Sequence, residues 1–92
     1  MENTMKIFDE KFMTPLEYVK AELWAKKYFK PSKSKRVSAY SLKHMVQKFL
    51  NIYSSEGEFC ELLKSCGFEQ DKQYSTVFCV EIDKHILGQY YK

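Results

Sequence analysis

Residues 38–51 carry the most regular apolar pattern of the chain, and this pattern requires a fold that covers one side of a helix. Its apolar side chains follow the spacing i, i+3, i+4, i+7 and i+8: Leu42, Met45, Val46, Phe49 and Leu50. An α-helix places this spacing on a single face, which must be buried against other elements. Ser38 is the predicted N-cap. The opposite, exposed face is predicted to hold Ser41, Lys43, Gln47 and Lys48, with His44 at its edge.

The sequence TPLE at residues 14–17 is a capping box with proline at the first helical position. It predicts a helix over residues 14–29, which ends before Pro31 because a residue that precedes proline is disfavoured in helical geometry. The predicted apolar side of this helix holds Leu16, Val19 and Leu23, with Trp24 beside them.

A second capping box, SEGE at residues 55–58, begins a predicted helix over residues 55–66. Gly67 follows it at the position where glycine commonly ends a helix. Glu56, Glu58 and Glu61 are predicted to form a solvated surface at its start, near the positive end of the helix dipole.

Residues 74–82, YSTVFCVEI, are rich in β-branched and aromatic side chains and predict a strand. A lone strand needs a partner, for which residues 5–8 or 68–73 are the candidates. The predicted fold class is therefore α+β and mainly helical, with three helices and a C-terminal strand, followed by a short turn that Asp83 caps. We expect a single domain over residues 1–92, with residues 1–13 as an N-terminal arm or strand and residues 30–37 as a basic loop.

Charge is segregated along the chain. Residues 23–55 carry eight Lys or Arg and no acid, whereas residues 1–22 and 56–92 have net charges of −2 and −3. Such segregation favours a polyanion or an acidic partner surface, although the acidic flanks can also fold back onto the basic centre. Aromatic residues lie among the cations, and together these are typical of phosphate attraction and base stacking. The candidate binding residues are Lys26, Lys27, Lys30, Lys33, Lys35, Arg36, Ser38, Tyr40, Lys43 and Lys48.

The sequence has no pattern typical of an enzyme. It has two histidines, no Ser/His/Asp spacing, no glycine-rich phosphate loop and no paired-carboxylate motif, so no catalytic residue and no cofactor is predicted. The three cysteines, Cys60, Cys66 and Cys79, lack metal-ligand spacing, and we expect free thiols rather than a zinc site. With no apolar segment of membrane-spanning length, a cytoplasmic protein without membrane contact is expected.

The order helix, basic loop, helix, turn, helix and strand is that of a helix-turn-helix with a wing-like strand. The segments YSLKHMVQKFL, YSSEGEFCELLKSCGF and YSTVFCVEI of residues 38–82 also resemble small proteins of phages and other bacterial mobile genetic elements. The resemblance implies a winged-helix-like accessory protein in a bacterial host cell, and it carries no catalytic residues.

These patterns predict a non-catalytic accessory protein that acts on nucleic acid or on a nucleoprotein partner such as a replication enzyme. Reading of duplex DNA in the usual pose is not expected, because the second helix of the pair carries Glu56, Glu58 and Glu61, which phosphates would repel. The alternative is a protein-binding inhibitor of a host enzyme, an anti-defence protein of the anti-CRISPR kind. Its candidate anchors are aromatic residues: Trp24, Tyr28, Tyr53, Tyr90 and Tyr91.

Overall fold

The computed structural model describes residues 10–92, which form four helices and four short strands around one cluster of buried residues. The small, mainly helical α+β fold is confirmed, while the first nine residues, including the candidate strand at 5–8, lie outside the described residues. The elements in chain order are α1 (Pro15–Tyr28), β1 (Phe29–Pro31), β2 (Val37–Ser38), α2 (Ala39–Leu50), α3 (Glu56–Ser65), β3 (Val77–Phe78), β4 (Val80–Ile82) and α4 (Lys84–Tyr90).

The three predicted helices are present, and their ends follow the predicted signals. Thr14 forms the complete capping box of α1 with Glu17, and the hydroxyl of Ser38 caps α2. Asn51 ends α2 with a φ of 57°, a left-handed conformation that asparagine tolerates better than most residues. A fourth helix, α4, replaces the short turn that was predicted after Asp83, whose carboxylate accepts two backbone N–H groups at its start.

The predicted apolar side of α1 is wrong for Leu16, Val19 and Leu23, although Trp24 does pack against the core. Ala21 and Ala25 are fully buried, whereas Leu16, Val19 and Leu23 remain 64%, 48% and 62% exposed. Small alanine side chains let the α1 backbone approach α2 and α3 closely, and this close packing decides which side of the helix faces inward. The sequence signal was misleading because alanine contributes little to an apolar pattern even where it forms the contact.

The apolar pattern of α2 is buried most deeply in its first two turns. Leu42, Met45 and Val46 lie in the core, while Phe49 and Leu50 are half-buried near the end of the helix. The other large side chains that are fully buried come from β1, α3 and the β3–β4 segment: Phe29, Phe59, Leu62, Leu63, Phe78 and Val80.

The predicted C-terminal strand is divided at Cys79 into β3 and β4, which belong to two different two-stranded sheets. β4 pairs with β1, so that Val80 lies opposite Pro31, and β3 pairs with β2, so that Phe78 lies opposite Val37; both pairings are antiparallel. Of the two candidate partners, residues 68–73 supply only a single bridge to Phe78. The main partner is the segment between α1 and α2, and the winged-helix pattern is not confirmed.

Candidate functional site

The two antiparallel pairings are separate sheets, but they follow one another along the same two chain segments, which we together call the ribbon, and four residues between them are unpaired. Ser32 continues the first pairing, since its N–H donates to the carbonyl oxygen of Cys79 at 3.1 Å. The second pairing starts again at Val37 opposite Phe78, directly before Cys79 in sequence. Residues 33–36 therefore have no counterpart on the opposite strand. We call these residues, Lys33, Ser34, Lys35 and Arg36, the KSKR loop.

Ser32 and Arg36 hold the KSKR loop in shape from its two ends. The hydroxyl oxygen of Ser32 accepts hydrogen bonds from the N–H groups of Ser34 and Lys35, at 3.3 and 3.1 Å. The Nη1 atom of Arg36 donates to the carbonyl oxygens of Lys33 and Lys35, at 3.0 and 3.1 Å. These bonds satisfy backbone groups that the ribbon leaves unpaired, and they give the projecting segment a defined conformation.

Asp71 fixes the KSKR loop to the body of the protein. Its carboxylate accepts from the Nε atom of Arg36 at 3.0 Å and from the backbone N–H groups of Gln73 and Tyr74 at 2.9 and 3.1 Å. These bonds, the one from Gln73 first, lower the pKa of Asp71 below its usual value. At Arg36 an acidic flank does fold back onto the basic centre, because Asp71 lies 35 residues downstream in the α3–β3 connection.

The lysines of the loop differ from Arg36 in their surroundings. Lys33 and Lys35 are exposed, and within the described residues neither forms an ion pair. Lys26 and Lys27 in the last turn of α1 are also exposed, and Lys30 on β1 lies opposite Glu81. The structure thus leaves the side chains of the predicted cations between Lys26 and Lys35 facing solvent.

Two predicted binding cations on α2 are instead held by aromatic rings. Lys43 was predicted on the exposed face of α2, yet it is only 8% exposed, and its Nζ atom lies 5.5 Å from the ring centre of Tyr40 and 5.1 Å from that of Tyr53. The Nζ atom of Lys48 donates to the carbonyl oxygen of Tyr90 at 2.8 Å and lies 5.2 Å from the ring centre of that residue. Both ammonium groups are within cation–π range.

Lys43 is at the centre of a row of aromatic side chains that we call the aromatic strip: Phe12, Tyr53, Tyr40 and His44. Phe12 meets Tyr53 edge to face with ring centres 4.9 Å apart, and Tyr40 meets His44 in the same way at 4.4 Å. Of these residues, Tyr40 was a candidate nucleic-acid contact from sequence, and Tyr53 was a candidate anchor only for the protein-binding alternative. The members of the strip lie on three separate segments, and the one sequence signal for Tyr53 is an aromatic residue in the polar connection between two helices.

A buried carboxylate on α3 positions Phe12 in this strip. Glu58 is 3% exposed, and its side chain accepts from the backbone N–H groups of Phe12 and Met13 at 2.9 and 3.1 Å. Ser55, the N-cap of α3, adds a hydrogen bond from its hydroxyl to the carbonyl oxygen of Glu10. The predicted capping box is therefore half formed, since Ser55 accepts from the Glu58 N–H but the Glu58 carboxylate binds residues 12 and 13 instead.

The acidic residues of α3 are accordingly not the fully solvated surface that was predicted. Glu58 is internal, and Glu61 forms an ion pair with Lys11 at 2.8 Å, which lowers the pKa of Glu61 and raises that of Lys11. Both interactions fasten the segment before α1 to α3. The negative charge of this helix thus has a structural use in anchoring residues 10–13.

The thiols lie apart from these surfaces. Burial raises the pKa of Cys60 and of Cys66 to about 11, with nearby Glu56 and Glu22 as the next causes, so both are neutral thiols at physiological pH. None of the three cysteines is in a disulfide. In residues 10–92, His, Cys, Asp and Glu form no group of three that could hold a metal ion.

Comparison of the chain with protein-family models, with curated proteins and with solved structures finds no match. The resemblance to proteins of mobile genetic elements therefore stays a prediction from the residues that carry it. Among the helices described here, none is long and apolar enough to cross a membrane.

Proposed function

We propose that this protein binds nucleic acid without catalysis, through the KSKR loop and the exposed lysines beside it, as an accessory protein of a phage or mobile element. The observation that carries the proposal is the construction of the loop. Lys33 and Lys35 project from a ribbon whose own pairing does not include them, while Ser32 and Arg36 fix the backbone that presents them. A replication enzyme on nucleic acid is a partner consistent with this surface.

Electrostatics supports the proposal. Exposed lysines close together in sequence repel one another, which opposes folding slightly, and a bound anion relieves this repulsion. A loop whose backbone is held before binding loses little conformational entropy when it binds. The exposed lysines Lys26, Lys27 and Lys30 precede the loop on α1 and β1. They lengthen the positively charged segment, as binding of a long anion requires.

The test is binding of a labelled oligonucleotide over a range of salt concentrations. Lys33→Ser combined with Lys35→Ser removes two phosphate contacts, so the slope of log K against log salt should fall by about 1.4 for a single strand and about 1.8 for a duplex. Lys64→Ser combined with Lys92→Ser removes the same charge elsewhere and serves as the matched control. Equal slopes and affinities for both double variants would refute the role of the loop.

A second candidate function, inhibition of a host enzyme by protein binding, is favoured by one observation on α1. Leu16, Val19 and Leu23 form an exposed apolar row on this helix, and such rows commonly mark protein-binding surfaces. Affinity capture from the native host with the parent and with a Leu16→Ser, Leu23→Ser variant tests this function. If the parent captures one host enzyme even at high salt, and the variant does not capture it, this result would support inhibition over nucleic-acid binding.

A further inference from the structure

We infer that the aromatic strip is a stacking platform and that the nucleic acid bound is single-stranded. This inference rests on the proposed function and names its substrate class. It assigns a binding role to Tyr53, Phe12 and His44, and it changes the role of Lys43 from a simple phosphate contact to the centre of the platform.

The first argument is the exposure of the rings. Tyr40 and Tyr53 keep 57% and 47% of their surfaces exposed, and Phe12 keeps 43%, although the three side chains lie on one connected row. Isolated exposed aromatic residues are common, but a connected row of them has apolar surface that a ligand can cover. Nucleobases are suitable ligands because every base has an aromatic face, and stacking on protein rings is tolerant of sequence.

The second argument is the charge at the centre of the row. The ammonium group of Lys43 is held by the two tyrosine rings, and within the described residues it forms no ion pair. A positive charge that no acid neutralises favours an anionic ligand over a protein surface that is neutral or has few acidic residues. Aromatic rings that alternate with cations are the combination by which proteins bind single strands.

The third argument is continuity with the KSKR loop. Tyr40 follows Arg36 by four residues, so the two Cα atoms are no more than about 14 Å apart. By the same chain reach, the Cα atom of Lys35 lies no more than about 18 Å from that of Tyr40, a distance that a strand whose bases stack on Tyr40 can span. In a duplex the faces of the bases are covered by neighbouring bases, so a platform of this kind selects unpaired bases.

The experiment measures fluorescence anisotropy with labelled oligo(dT) of about 16 nucleotides, the upper end of the site sizes of small single-strand-binding folds, and with a duplex of equal length. The variants are Tyr53→Ala, Tyr40→Ala and the loop variant Lys33→Ser with Lys35→Ser. The control is Tyr91→Ala, which removes a tyrosine that is 77% exposed and lies outside the strip. Thermal melts establish that each variant is folded, and Tyr53→Phe, which retains the ring, is a second control that removes only the hydroxyl group.

We expect the parent to prefer the single strand, Tyr53→Ala and Tyr40→Ala to weaken its binding about tenfold each, and Tyr53→Phe and Tyr91→Ala to bind like the parent. If Tyr53→Ala is unfolded, the same loss in Tyr40→Ala alone supports the inference. Equal binding of duplex and single strand, with losses only in the loop variant, would overturn the platform and leave the proposed function intact. If neither oligonucleotide binds, both the platform and the proposed function are overturned. The same holds if the tyrosines instead bind a protein.

Discussion

Replacement of Glu58 by alanine should release the segment before α1 and destabilise the fold. The carboxylate is buried and accepts two backbone N–H groups, from Phe12 and Met13, at 2.9 and 3.1 Å. A hydrogen bond to a charged group contributes about 1.5–3 kcal/mol, so the two bonds together contribute about 3–6 kcal/mol. Detachment of residues 10–13 lets both N–H groups reach water and returns conformational entropy, which offsets about half of that loss. The expected decrease in the free energy of unfolding is about 2–3 kcal/mol.

Urea melts and amide hydrogen exchange measure the two parts of this prediction. The amide protons of Phe12 and Met13 should be protected in the parent and should exchange freely in Glu58→Ala, while the amides of Leu42 and Leu62 in the core stay protected. Glu61→Gln is the matched control, because it removes an acid of the same helix whose ion pair with Lys11 is exposed. If Glu58→Ala melts like Glu61→Gln and leaves the exchange at Phe12 and Met13 unchanged, Glu58 does not anchor this segment.

Two further predictions concern the loop and the thiols. Arg36→Ser should destabilise the protein in urea melts, because it removes the contacts to the loop carbonyls and to Asp71. The Lys33→Ser, Lys35→Ser variant should be at least as stable as the parent. If this double variant is the less stable of the two, Arg36 is not structural. Because folding raises the pKa of Cys60 and Cys66 from 9.0 to about 11, the unfolded chain loses these protons first, and stability should fall as pH rises from about 9 to about 11. Cys60→Ala should show a smaller fall over this range, and an equal fall would contradict the assignment.

The sequence by itself determined where the helices begin and end. Thr14, Ser38 and Ser55 cap the three predicted helices, because an N-cap hydroxyl bonds a backbone N–H only three residues away. The core position of Leu42 on α2 also follows from the helical period alone. These features depend on contacts between residues close in sequence, and such contacts can be deduced without the fold.

The choice of buried face on α1 was decided by tertiary structure. The larger apolar side chains of α1 were expected inside, but the close packing of neighbouring helices favours Ala21 and Ala25 at the contact and leaves Leu23 exposed. The division of the C-terminal strand at Cys79 has a similar origin, since it depends on pairing with residues 39 to 53 positions earlier, from Phe29 to Ser38.

The candidate site divides in the same way. The composition of the basic segment predicted a positive surface, and Lys33 and Lys35 are exposed, as a positive surface requires. Only the tertiary structure places Asp71 beside Arg36 and brings Tyr53 to Lys43, because ion pairs and cation–π contacts between distant segments depend on how those segments pack. The sequence thus specified which charges are available, and the packing decided which of them are left for a partner.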